Sequence, residues 1–194
     1  DNDNITEVDT ADEIYKSIVE NNVDTIVYKT YSKNRLLFRI FMDEIKDIYT
    51  GKIRNWQEVG GPNLKITAYT RDKEAGGTVE FFIEEFLEEK KETVIFGNNT
   101  VLAIDTTDGL RKVAADPGGI YYASAPEVVD QCTVKSIPIG LTKDDLIAPY
   151  QAPFINEENC NNNNRNKINI EVFKNCQYPK TRELYVILKE NGDK

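Results

Sequence analysis

One arginine, two glycines and a threonine stand before an apolar helical pattern in the middle of the sequence. Arg71 opens the stretch, and Gly76, Gly77 and Thr78 lead directly into the pattern. Glycines let backbone N–H groups approach a ligand, and the first turn of a helix leaves N–H groups unsatisfied at its positive end. A guanidinium and a hydroxyl suit a tetrahedral oxyanion. The spacing therefore predicts an anion-binding site at these four residues.

The same residues also fit an ordinary structural role. Glycine turns often precede helices, Thr78 is a common N-cap residue type, and Arg71 can pair with a surface glutamate. The formal net charge of −9 argues against general binding to nucleic acid or to an anionic membrane surface, so any anion must be attracted locally. The residues alone leave both interpretations open.

Residues typical of catalytic and metal sites are scarce. The absence of histidine excludes Ser-His and Cys-His dyads, and Ser124 does not lie in a G-x-S-x-G motif. Gly51-Lys52 lacks the other residues of a phosphate-binding P-loop, and the acidic amino-terminal segment lacks the glycine of a calcium loop. We therefore predict that the protein is not an enzyme and has no metal or cofactor.

The three cysteines are Cys132, Cys160 and Cys176, and no two of them form a C-x-x-C motif. They fit either buried free thiols or one disulfide with an odd cysteine. No apolar run is long enough to span a membrane, so we expect no membrane insertion of this segment.

Hydrophobic periodicity predicts strands that alternate with helices. The strand-like runs are "TIVY", "LLFRIF", "LKITAYT", "TVLAIDTT", "IYYAS" and "ELYVILKE". Thr107 or Asp108 is expected to cap the helix after the fourth run. In "IYYAS", the alternation predicts that one of Tyr121 and Tyr122 is in the core and that the other is exposed and available to a ligand. Together these patterns imply an α/β domain with a largely parallel sheet.

Several segments, taken in order, resemble the substrate-binding proteins of phosphate-type ABC importers, which have a type II periplasmic-binding-protein fold. These segments are "MDEIKDIYTGKIRNWQEVGGPNLKITAYTR", "AGGTVEFF", "VAADPGGIYYAS" and "YPKTRELYVILK". The second resembles the family's G-S-G-T anion loop, and the fourth resembles its Y-P-x-x-R-x-L-Y strand. The first segment is the most specific, and the resemblance runs from about Met42 to Lys189.

The resemblance implies a periplasmic-binding-protein-like lobe with a central, mostly parallel sheet flanked by helices. Such proteins have two lobes joined by hinge strands, with the anion between them. We expect residues 36–194 to form one lobe, with a Pro/Asn-rich insertion at 140–169, and residues 1–35 to be a lead-in and hinge remnant. No equivalent of the other lobe's anion loop is found, so a half-site of low affinity is expected.

The resemblance also implies a function and its residues. Arg71, Gly77 and Thr78 match the family's ligand contacts, whereas Gly76 stands in place of a serine and one extra residue separates it from Arg71. The implied function is non-enzymatic binding of phosphate or a similar oxyanion for an ABC importer permease, in the periplasm or at the cell surface. The alternative is an extracytoplasmic sensor or adhesion module, which the change at Gly76 and the insertion favour.

A location outside the cytoplasm is oxidising, so the resemblance favours a disulfide. The preferred pairing joins Cys132 to Cys160 and leaves Cys176 free. Other pairings stay open because a sequence does not fix disulfide connectivity.

Overall fold

A computed structural model of the chain describes residues 40–142 and 145–182, together with the backbone of residues 24–29. The predicted strand "ELYVILKE" and most of "LLFRIF" lie outside the described residues. The boundary predicted at residue 35 also lies outside them and stays a prediction.

The strands are β1 (Asp24–Lys29), β2 (Ile40–Phe41), β3 (Thr67–Thr70), β4 (Thr100–Leu102), β5 (Gly119–Ser124), β6 (Val134–Ser136) and β7 (Ile139–Gly140). The α-helices are α1 (Met42–Tyr49), α2 (Gly77–Glu85), α3 (Thr106–Ala115), α4 (Ala125–Val128) and α5 (Ile170–Lys174). Short 3-10 helices cover Trp56–Val59 and Glu157–Asn159.

A five-stranded sheet forms the centre of the fold, in the order β4-β3-β5-β1-β6. Strand β3 is parallel to β4 and β5, and β1 is antiparallel to β5 and β6. Strands β3, β4, β5 and β6 therefore point the same way, and β1 runs against them. The predicted α/β fold with a mostly parallel sheet is confirmed. Strands β2 and β7 form a separate parallel pair.

Helices cover both faces of the sheet. On one face, α1 and α2 pack against Ala68, Ile120 and Tyr122, and the ring of Phe82 stacks on that of Tyr122 with centroids 3.7 Å apart. On the other face, Val113 of α3 packs in a cluster with Tyr121. The prediction that one of the paired tyrosines is exposed was therefore wrong. Both are 1% exposed, because a sheet covered on both sides has no solvent-facing side.

The connection between α1 and β3 is fixed to the turn before β5. Gly51 ends α1 with a φ of 78°, a conformation that favours glycine. Trp56 is buried in the following 3-10 helix, and its indole N–H donates to the carbonyl of Gly118 at 3.1 Å. This bond links two segments of the family resemblance in space.

The described residues of the Pro/Asn-rich segment form a mostly irregular loop. Its described residues include the 3-10 helix at Glu157–Asn159, and Asn166 holds two parts of the loop together through both backbone polar groups of Ile155. A disulfide joins Cys132 to Cys160, the pairing that the resemblance favoured, and Cys176 is free and exposed. Across the described ranges, no helix has the length and apolar character needed to cross a membrane.

Candidate anion site

The carboxyl ends of three parallel strands define one edge of the sheet. Strands β3, β4 and β5 end there at Thr70, Leu102 and Ser124. Helix α2 begins after the loop that follows β3, and α3 begins after the loop that follows β4. In open α/β sheets, ligands bind at this edge, where helix N-termini meet the ends of the strands.

The loop from Arg71 to Gly76 is ordered by an aspartate. The carboxylate of Asp72 accepts from the N–H of Glu74, and its carbonyl accepts from the N–H of Ala75, each at 2.9 Å. This turn accommodates the extra residue between Arg71 and Gly76. Gly76 has φ 110° and ψ −175°, a conformation that residues with a side chain rarely adopt. The backbone therefore explains why glycine, and not serine, stands at this position.

The first turn of α2 has no side-chain cap. Gly76 is the N-cap residue, and its carbonyl accepts from the N–H groups of Val79 and Glu80 at 3.1 and 3.3 Å. Within the described part of the chain, the N–H groups of Gly76, Gly77 and Thr78 have no hydrogen-bond acceptor. Gly76 and Gly77 are exposed, and Thr78 is half-buried. Three adjacent donors thus stand at the positive end of a nine-residue helix.

The side chain of Arg71 is half-buried, and the residue directly follows the end of strand β3. Burial raises the pKa of Tyr121 to about 12, and the positive charge of Arg71 acts against that rise. The Nε of Arg71 is buried and has no hydrogen-bond partner. Among the described residues, no contact joins Arg71 to Gly76, Gly77 or Thr78. Three of the four predicted residues therefore lie together at the start of α2, without Arg71.

Arg182 also reaches the start of α2, and the sequence did not indicate this. Its Nη2 donates to the hydroxyl oxygen of Thr78 at 3.0 Å, and its guanidinium carbon lies 5.3 Å from the centroid of the Phe81 ring. In the same segment, Lys180 forms an ion pair with Glu85 near the other end of α2, at 3.0 Å. The segment resembling "Y-P-x-x-R-x-L-Y" marked Arg182 but gave no sign of its contact with Thr78, 104 positions away.

Helix α3 begins at the same edge with a different cap. The carboxylate of Asp105 accepts from the N–H of Asp108 at 2.8 Å, and the carboxylate of Asp108 accepts from the N–H of Ile104 at 2.9 Å. The Lys112 ammonium, 2.7 Å from Asp108, and the backbone N–H of Ile104 hold the pKa of Asp108 below its usual value. The prediction of Thr107 or Asp108 as the cap was wrong, since Asp105 is the N-cap residue. Two carboxylates make this N-terminus unsuitable for an anion.

A groove of about 650 Å³ lies beside α3 and α4 and does not include the predicted anion-binding residues. Its lining includes Thr106, Leu110, Arg111, Glu127 and Thr133. The predicted residues instead lie at the edge of the sheet, after the end of β3 and at the start of α2.

The chain belongs to the PBP superfamily, because residues 23–193 match the PBP superfamily domain. This result confirms the family resemblance seen in the sequence. The phosphate-binding protein PstS of Bacillus subtilis is 34% identical over 92 residues, which are 47% of this chain and 28% of that protein.

Two solved structures are similar in fold. A putative phosphate ABC transporter substrate-binding protein with bound phosphate from Clostridium perfringens has 25% identity and a TM-score of 0.53, with 65% of this chain and 49% of that one covered. An ABC-type phosphate transport receptor from Vibrio cholerae has 21% identity and a TM-score of 0.53, with 62% and 48% covered. The chain thus spans about half the length of these receptors or less. None of these relatives is described as a sensor or an adhesion module.

Proposed function

We propose that this chain is one lobe of a non-enzymatic binding protein for phosphate or a similar oxyanion, in the service of ABC import. The observation that carries the proposal is the open N-terminus of α2. There, the N–H groups of Gly76, Gly77 and Thr78 have no acceptor among the described residues. The names of the relatives, which include a phosphate-binding protein and phosphate transport receptors, support the choice of ligand.

In this proposal the ligand is held mainly by backbone donors. The three N–H groups donate to oxygens of the anion, and the helix macrodipole adds positive potential without a titrating group. The hydroxyl of Thr78 gives a fourth donor. The buried Nε of Arg71 has no partner, and a buried donor without an acceptor is costly, so an anion oxygen that reached it would relieve that cost.

The proposed protein encloses its ligand between two lobes. Residues 36–194 form one lobe, whose sheet also includes β1, and a second lobe supplies the rest of the clamp. The longer relatives have the length for such a second lobe. A single lobe offers only part of the hydrogen bonds, and each charge-assisted bond contributes about 1.5–3 kcal/mol. This chain by itself is therefore expected to bind phosphate only in the millimolar range.

We further propose that the protein works outside the cytoplasm and delivers its ligand to an importer permease. The disulfide between Cys132 and Cys160 supports an oxidising location. The proposal does not involve nucleic acid, since the net charge of −9 opposes such binding.

The test is a titration of the chain with inorganic phosphate and with sulfate. Calorimetry measures the affinity, and the NMR shifts of backbone amides show where the anion binds. Phosphate is expected to move the amide signals of Gly76, Gly77 and Thr78 first. Arg71→Ala should weaken phosphate binding about tenfold through loss of a charge-assisted bond. Arg111→Ala, which removes an exposed arginine from α3, is the matched control and should have no effect. Phosphate binding that leaves these three amides unmoved, or no binding at all, would contradict the proposal.

A further inference from the structure

We propose that Arg182 is a positioning residue of the anion site, which fixes the direction in which the Thr78 hydroxyl donates. The inference rests on the proposed phosphate function and adds a residue that the four predicted positions do not include. It starts from the 3.0 Å bond between Arg182 Nη2 and Thr78 Oγ1.

The chemistry of the two groups determines the direction of this hydrogen bond. A guanidinium has only donors, whereas a hydroxyl has one donor and two acceptor positions. Thr78 Oγ1 must therefore accept from Arg182, and its own proton turns to another acceptor. In the described part of the chain, the Thr78 hydroxyl donates to no acceptor. Arg182 thus holds the hydroxyl as a donor beside the amides of Gly77 and Thr78.

The guanidinium is held rigidly enough for this role. It lies against the ring of Phe81, one turn along α2, and the ion pair between Lys180 and Glu85 fixes the same segment to the helix. A Cβ atom at Gly77 would come within 3.3 Å of Arg182 Nη1. The absence of a side chain at Gly77 therefore lets the cation lie directly against the first residue of α2.

The charge of Arg182 is unfavourable for the helix alone. A cation near a helix N-terminus opposes the macrodipole and lowers helix stability. Here the cation is held against that end by a hydrogen bond and a ring contact. Arg182 and Thr78 together supply the oriented hydroxyl that a serine at position 76 would otherwise give.

A double-mutant cycle with Arg182→Gln and Thr78→Val tests the inference, with inorganic phosphate as the probe and NMR amide shifts as the readout. Each substitution alone is expected to weaken phosphate binding about tenfold. If Arg182 acts through the hydroxyl, adding Arg182→Gln to Thr78→Val should weaken binding by less than about threefold more. The matched control is Arg165→Gln, which removes an exposed arginine that pairs with Asp130 and should leave phosphate affinity within about twofold.

The outcomes separate the two proposals. No phosphate binding by the wild type overturns the proposed function and this inference with it. Binding by the wild type that Arg182→Gln leaves unchanged, or that the two substitutions weaken independently by about a hundredfold, overturns the inference alone. If Arg182→Gln does not fold, the same cycle with Arg182→Lys gives the test, since lysine lacks the forked donor geometry of arginine.

Discussion

The N-termini of α2 and α3 occupy equivalent places in the fold and have opposite chemistry. Each helix begins at the edge where β3, β4 and β5 end. Helix α3 caps itself with the carboxylates of Asp105 and Asp108, whereas α2 begins with Gly76 and Gly77 and has a guanidinium at Thr78. The fold therefore supplies two positions at which an anion could bind. Because carboxylates cap α3 and no described side chain caps α2, only the N-terminus of α2 has backbone N–H groups open to an anion.

The difference also has an energetic side. A side-chain N-cap stabilises a protein by about 0.5–2 kcal/mol relative to alanine, and α3 has this contribution. Helix α2 lacks it, holds Gly76 in a conformation with a φ of 110°, and has a cation at its positive end. Binding sites commonly lower the stability of the free protein in this way. A bound anion would supply the hydrogen-bond acceptors that a side-chain cap would otherwise provide to the first turn of α2.

The largest expected effect comes from giving α2 a carboxylate of its own. Thr78→Asp should reduce phosphate binding by about a hundredfold or more, because the new charge repels the anion and pairs with Arg182. The free energy of unfolding should not fall, since an acidic residue in the first turn favours the helix. Calorimetry with phosphate and urea unfolding measure the two effects.

The control for this change is Thr107→Asp, at the second position of α3. Thr107 is exposed, and its helix already has two carboxylates, so phosphate binding should stay within about twofold of the wild type. Equal losses in the two variants would mean that net charge, and not the position on α2, controls the affinity.

An intermediate effect is expected from removing the cap of α3. Asp105→Ala should lower the free energy of unfolding by about 1 kcal/mol, because the N–H of Asp108 loses its acceptor. Phosphate affinity should not change. If Asp105→Ala stays folded but loses phosphate affinity, the N-termini of α2 and α3 are coupled. Such a result would contradict the view that only the N-terminus of α2 affects phosphate binding.

The smallest effect concerns Tyr121, which packs against Val113 of α3. Burial raises the pKa of Tyr121 to about 12 from an ordinary value of 10.0. The folded state therefore keeps its proton longer, and the stabilisation is complete below pH 10 and is lost as the pH rises toward 12. Tyr121→Phe should make the free energy of unfolding fall less steeply over this range. Urea unfolding at several alkaline pH values measures how steeply the free energy of unfolding falls with pH in each protein. Identical slopes for the wild type and Tyr121→Phe would contradict a raised pKa at Tyr121.

Much of the fold and part of the site could be predicted from the sequence. The apolar runs around Ala68 and Ile120 identified β3 and β5, and the glycine pair before an apolar helix identified the open end of α2. These features are local, so periodicity and turn residues reveal them.

The remaining features depend on contacts between distant segments. The exposure of Tyr121 was mispredicted because helices cover both faces of the sheet. The cap at Asp105 was missed because the run of capping residues at 105–108 does not show where the chain turns into the helix. The approach of Arg182 to Thr78 could not be predicted, since it depends on packing between distant parts of the chain.

Strand β1 has a consequence for how the protein is assembled during synthesis. It lies between β5 and β6, with Val27 opposite Tyr121 on one side and Ser136 on the other. The ribosome makes both neighbours roughly a hundred residues after β1, and such distant pairing is slow to form. The nascent chain must therefore carry a strand without its partners until β5 and β6 have been made, a period in which chaperones would have most reason to protect it.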